Sequence, residues 1–178
     1  MFNPRESPAR PIGGEELSRL LDHHRFVSDL NMPRLDLVGL EITGNSFYGC
    51  NFASVKLVNA TVAESSFELC FFPFASFSDV AFSNVTIRNC VFGASRASRA
   101  SFAGCNVIQC NFNGLEATDV SFEDCDLLHS RFNAAMLRTV RFENCNLKET
   151  RFLRTPITGT VFRYSNQEDA VFAAEDGW

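Results

Sequence analysis

The sequence predicts an all-β fold in the form of a solenoid, a coil of short extended pieces joined by tight turns. Three observations point to it. Every fifth residue from Leu37 to Phe172 is apolar except Gln167, and fifteen of the nineteen phenylalanines fall in this phase. A second phase, two residues earlier and running from Leu35 to Ala170, holds only Ala, Cys, Ser, Thr, Val, Leu and one Asn. Gly, Asn, Asp and Ser fill many positions between, among them Gly39, Gly44, Asn59, Asp79 and Gly104, as tight turns prefer.

Residues two apart in an extended segment point to the same side, so a small and a large side chain at that separation can share one interior. Five is odd, so the chain has to turn a corner before the next pair points inward. The stretch CFFPFASF, residues 70–77, fits neither a helical nor a strand period. The five-residue ruler resolves it: Phe72 and Phe77 lie inside, while Phe71 and Phe74 point outward beside Leu69 and Pro73. Val91, 20 residues on from Phe71, is expected to stack over it.

Taken in order, residues 1–33 form an N-terminal segment. Within it Leu17, Leu20, Leu21, His24 and Val27 recur at helical spacing, which predicts an amphipathic helix capping the open first coil, as solenoid ends require. Of His23 and His24, one is expected to pack and the other to be solvated. Residues 34–173 form the solenoid. The column Phe52, Phe72, Phe92, Phe112, Phe132, Phe152, Phe172 repeats every 20 residues, and from Phe82 to Phe162 the facing column is Phe as well. The segment SNQEDAVFAAEDGW is expected to close the far end, with residues 174–178 an acidic tail.

Units such as CNFAS, ASFSD, CNFNG, CDLLH and CNLKE resemble the repeating signature of pentapeptide-repeat proteins, over roughly residues 35–173 without a break in register. The resemblance implies a right-handed quadrilateral parallel β-helix with four pentads to a coil. About seven coils at roughly 4.8 Å per rung would make a rod about 34 Å long.

The start MFNPRESPARPIGG lacks the pattern of a secretory signal, and no run of 18 apolar residues occurs. A soluble, cytoplasmic protein of bacterial type is expected, with no membrane contact. Net charge is −5. It is uneven: residues 34–130 carry 5 basic and 10 acidic groups, and residues 131–166 carry 7 and 2. An acidic middle followed by one short basic region argues against direct nucleic-acid binding.

The seven cysteines (Cys50, Cys70, Cys90, Cys105, Cys110, Cys125 and Cys145) all lie in the inward small phase. A ladder with rungs about 4.8 Å apart cannot converge on a tetrahedral zinc, and that spacing exceeds the separation of about 3.8 Å that a disulfide wants between Cβ atoms. Small buried thiols are therefore expected, with neither metal nor cofactor. No nucleophile triad, carboxylate pair, phosphate loop or dinucleotide motif is present, so no enzymatic activity is expected. His129 is expected to pair across rungs with Glu149, and Arg96 with Glu116 and Arg99 with Asp119 likewise. Arg131 stacks on Arg151 with like charge, with Arg154 close by, and Glu123 on Glu143 on another side. Like charges on neighbouring rungs mark candidate binding surfaces, as does the outward group Leu69, Phe71, Phe74 and Val91.

These features lead to a non-enzymatic scaffold that holds a protein partner on its outer faces, the partner itself being unnamed by the sequence. The resemblance supplies an alternative, since the family includes proteins that protect DNA gyrase and topoisomerase IV from quinolones by imitating duplex DNA. It also implies end-to-end homodimers through the last coil, which would involve Phe172 and Trp178.

Overall fold

A computed structural model describes residues 13–172 of the chain. Its course is set by the backbone at one position in five. Every residue whose number ends in 4 or 9, from Asp29 to Asp169, has a positive φ between +48° and +85°. A left-handed residue reverses the pleat, so the odd step of five returns the next pair of side chains to the interior. Six of these corners are glycine, which meets no Cβ penalty there; others are Leu69, Phe74 and Thr139, which do meet it.

Four corners complete a coil of 20 residues, so Phe47 lies over Phe67 and Phe82 over Phe102 in parallel register. The result is a four-sided parallel β-helix of about seven coils. Its sides are lettered here by their first rung. Side A starts at Phe26–Ser28, side C at Asp36–Val38 and side D at Glu41–Thr43, and these grow into parallel sheets of 5, 6 and 7 strands. Side B is a row of bridges, Asn31, Asn51, Phe71, Val91, Asn111, Arg131 and Arg151, ending in the short pair Arg151–Phe152 with Val171–Phe172.

The interior is filled by the two phases seen in the sequence. Phe112 and Phe132 are buried, as are Phe47, Phe122, Phe142 and Phe152. On sides B and D the rings stack face to face: Phe132 lies 4.8 Å from Phe112 and 5.2 Å from Phe152, in each case within 8° of parallel. Across the coil the same ring meets Phe122 and Phe142 edge-on at 6.1 and 5.8 Å. The rung spacing of a parallel sheet, about 4.8 Å, falls inside the range that aromatic pairs prefer, so backbone and side chains want the same repeat.

The cap helix spans Gly14–His23, with Leu17 and Leu21 buried and Leu20 packed on the core edge. Two expectations need correction here. Val27 does not belong to the helix but to the first rung, where it pairs with Phe47. His23 and His24 are both exposed, His23 with Nδ1 2.9 Å from the Arg19 carbonyl oxygen. The stacked architecture therefore begins at Phe26 and not at residue 34. Val27 and Met32 already lie in the five-residue phase, and they cover the core better from a rung than from a helix.

At the other end Gln167 is exposed and Phe162 and Phe172 are partly so, because no further coil stacks on them among the described residues. The expected acidic tail, and Trp178 with it, lie outside the described residues. No helix among the described residues is long and apolar enough to cross a membrane.

Two substitutions test this account. Phe132→Ala removes a ring buried between four others and is expected to cost about 3–5 kcal/mol in chemical denaturation. Thr139 is β-branched at φ +54°; Thr139→Asn, which tolerates that conformation, is expected to raise stability by about 0.5–1 kcal/mol.

Candidate interaction surface

With the interior filled, chemistry at the surface depends on the outward columns. The cysteines can be set aside first. All seven are free and buried, and each thiol donates to main-chain carbonyls: Cys70 Sγ lies 3.6 Å from Phe47 O on the coil below and 3.4 Å from Glu68 O. Ser130 and Thr150 reach Val107 O and Leu127 O from the same column at 2.7 and 3.0 Å. Cys, Ser and Thr there serve one purpose, donating to the carbonyl of the inward large residue 23 positions earlier. The Cys110 thiol stacked beside it, and then burial, push Cys90 up to about 12. The Cys70 contact and burial likewise raise Cys50.

Outside, ion pairs run along the rod between residues 20 apart. Arg96 Nε meets Glu116 at 2.9 Å, His129 Nδ1 meets Glu149 at 3.1 Å and Lys148 meets Glu168 at 3.3 Å. The Arg99 pairing departs from expectation. Its guanidinium turns to the coil below, placing Nε 2.6 Å from Asp79 and Nη2 3.3 Å from Ser78, and leaves Asp119. Asp79 offers a carboxylate backed by the Ser78 hydroxyl, 3.2 Å away, which a bare Asp119 does not. The Arg99 guanidinium, and to a lesser degree the Ser78 hydroxyl, hold the Asp79 carboxyl below the usual carboxylate range.

Arg131 breaks the pattern of opposite signs, since its partner 20 residues on is Arg151. Both are exposed, and neither guanidinium has an ion-pair or hydrogen-bond partner among the described residues. They sit at the upper end of the side B row whose lower members are Phe71 and Val91. Phe71 is 48% exposed, Leu69 39% and Phe74 70%. Leu69, Phe71, Val91, Arg131 and Arg151 thus share one strip, formed by the side B row and the corner before it. Phe74 and Arg154 stand on the opposite corner of side B, four coils apart in one column. Glu123 and Glu143 lie in register on side D, away from the arginines, and Glu143 is 3.8 Å from Arg163. The candidate residues therefore fall into three groups, the strip, the opposite corner of side B and side D.

Sequence reasoning missed the middle of the strip. Asn89, Gln109, Asn111, His129 and Arg131 line a trough of about 380 Å³. A second trough of about 320 Å³, lined by His129, Arg131, Glu149, Arg151, Asp169 and Val171, continues it. Following Phe71 and Leu69 upward in steps of 20 would have reached every residue lining the first except the buried Cys110.

The fold and its outer columns define a solenoid with a packed interior and side-chain columns along its outer faces. Two family models match: a pentapeptide repeat region over residues 95–172 and pentapeptide repeats, eight copies, over residues 75–114. The chain belongs to the pentapeptide-repeat family. Solved structures similar to it include a trypsin-treated variant of QnrB1, a plasmid-mediated fluoroquinolone resistance protein, at 14% identity and TM-score 0.45, covering 79% of this chain and 82% of that one. HetL, a pentapeptide repeat protein involved in heterocyst differentiation regulation in Nostoc sp. strain PCC 7120, is similar at 11% identity and TM-score 0.46, covering 89% and 94%. No curated protein sequence matches the chain.

The thiols supply a prediction. A thiol whose pKa is raised by folding keeps its proton in the native state while the unfolded chain loses it near 9.0, so its contribution is full below that pH and is lost as pH rises toward about 12. The urea midpoint is expected to fall between pH 8 and pH 10.5, and Cys90→Ala to shrink that fall.

Proposed function

We propose that the protein is a non-enzymatic scaffold that holds a protein partner on side B. One observation carries this: a single outward row passes from the exposed Phe71 and half-buried Val91 to the unpaired guanidinium groups of Arg131 and Arg151. An apolar group next to uncompensated charge, on a rigid surface, is the composition of an interface core with its polar rim. The filled interior supports the non-enzymatic reading, as the apolar space among the core rings holds about 20 Å³, no more than a water.

Binding to gyrase in place of DNA is the weaker reading. Imitation of a duplex asks for a continuous acidic face, and residues 34–166 hold 12 basic and 12 acidic groups with arginines stacked on side B. The partly exposed Phe162 and Phe172 on the last described coil support self-association at that end as a second use of the rod, independent of side B.

Site-directed photocrosslinking in cells tests the side B reading. Benzoyl-phenylalanine in place of Val91 is expected to give a discrete adduct with another protein, and in place of Ala103, exposed on side D, to give none. Equal adducts from the two positions, or none from either, would overturn it.

A further inference from the structure

The strip on side B is a graded ruler, and its grading specifies what it fits. Along the row, in register, come Phe71, Val91, Asn111, Arg131 and Arg151. The neighbouring corner column rises beside it from Leu69 through Gln109 to His129. The character changes twice, from apolar to amide and from amide to cation, and the two troughs share His129 and Arg131 in their linings, with Val91 and Phe71 below them in the same row.

We propose that this strip binds an extended peptide of a partner protein, with an aromatic or large aliphatic side chain followed four and six residues later by carboxylates. This rests on the assignment of side B as the interaction surface and adds the chemistry of the occupant. The spacing follows from the repeat. Phe71 and Arg131 are three rungs apart, about 14 Å, and Phe71 and Arg151 four rungs, about 19 Å. An extended chain rises about 3.3 Å per residue, so four and six residues span about 13 and 20 Å. Both numbers are even, which keeps all three side chains on the face turned to the rod.

Charge selects the acidic end. Arg131 and Arg151 have no counter-ion partner among the described residues, and Glu149 is engaged by His129 at 3.1 Å. Asp169 lines only the far end, beyond Arg151. The lining of the first trough contains no carboxylate at all. Two stacked guanidinium groups repel one another across one rung, and a carboxylate at each relieves that repulsion while accepting paired N–H donors. In the middle, the Gln109 side chain and the Asn111 Nδ2 group have no hydrogen-bond partner among the described residues, and amide groups of this kind suit the main chain of a peptide.

The test uses the full-length protein and a fluorescein-labelled heptapeptide, Trp-Ser-Thr-Ser-Glu-Ser-Glu, followed by fluorescence anisotropy. An isomer of the same composition, Ser-Thr-Ser-Trp-Glu-Glu-Ser, serves as the spacing control. Expected are saturable binding that weakens at least tenfold in the isomer, in Arg131→Glu and in Phe71→Ser, and that declines as KCl rises from 50 to 300 mM. Glu123→Gln on side D is expected to leave it unchanged. Because Phe71 and Arg131 point outward, circular dichroism of the variants should match the parent, which separates loss of binding from loss of fold. No binding, or binding indifferent to spacing and to both side B variants, would overturn the motif. The crosslink at Val91 tells the two failures apart: an adduct there with no peptide binding sinks only the motif, and absence of both sinks the side B assignment as well.

Discussion

A left-handed backbone conformation at every fifth residue is the constraint on which the whole molecule depends. Extended chain alternates its side chains, so a repeat of odd length would send successive large residues in and out by turns. One positive-φ residue per pentad absorbs the mismatch, and all corners from Asp29 to Asp169 adopt it. The conformation costs energy at each non-glycine corner, roughly 1–2 kcal/mol for an ordinary L-residue. It persists at Leu69, Phe74 and Thr139 because the coils above and below fix both neighbouring strands. Local strain at the corners is thus held by stacking along the axis.

That stacking has to satisfy two demands at once, close packing and hydrogen bonding. The ring columns meet the first, since centroid separations of 4.5–5.2 Å in the Phe82–Phe102 and Phe132–Phe152 pairs match what the backbone rungs impose. The small inward column meets the second. A hydroxyl or thiol in it reaches the carbonyl 23 residues earlier, as Ser130 does with Val107 and Cys70 with Phe47. The cysteines owe their positions to this bond and to their size. On side B, where strands give way to bridges, side-chain amides do similar work: Asn111 Oδ1 accepts from the Asn113 N–H at 2.9 Å, and Asn133 Oδ1 from the Leu153 N–H at 3.0 Å.

Position modulo five was legible in the sequence because it reflects a rule obeyed at every rung, and Phe112, Phe132, Arg131 and Glu123 all lie where it puts them. Position modulo 20 was legible too, giving the His129–Glu149 and Arg96–Glu116 contacts. What escaped was the choice between equivalent neighbours. Arg99 has an acid both above and below, and the Ser78 hydroxyl beside Asp79 decides between them; periodicity carries no such information. The start of the solenoid was misplaced for a related reason. Val27 suits a helical stripe and a rung equally well, and only its pairing with Phe47 distinguishes the two. The side B strip was half seen, with Phe71 and Arg131 treated as separate patches, because the amides between them look unremarkable one at a time.

A stack of in-register coils has a property that few globular surfaces share. The distance between two outward side chains of one column is an integer number of rungs, and the packed rings beneath keep it from varying. A bound strand has its own integer, one side chain per face every two residues. The two rulers, about 4.8 Å and about 6.6 Å, come back into approximate step after three or four rungs of the rod. On side B the same interval separates Phe71 from Arg131 and Arg151. A surface graded over that interval can hold both ends of an extended segment without bending either partner, so the affinity of the apolar contact and the selectivity of the charged one act on the same ligand. In the proposed reading, rigidity built for the sake of the core is the means by which the outer row measures the peptide laid on it.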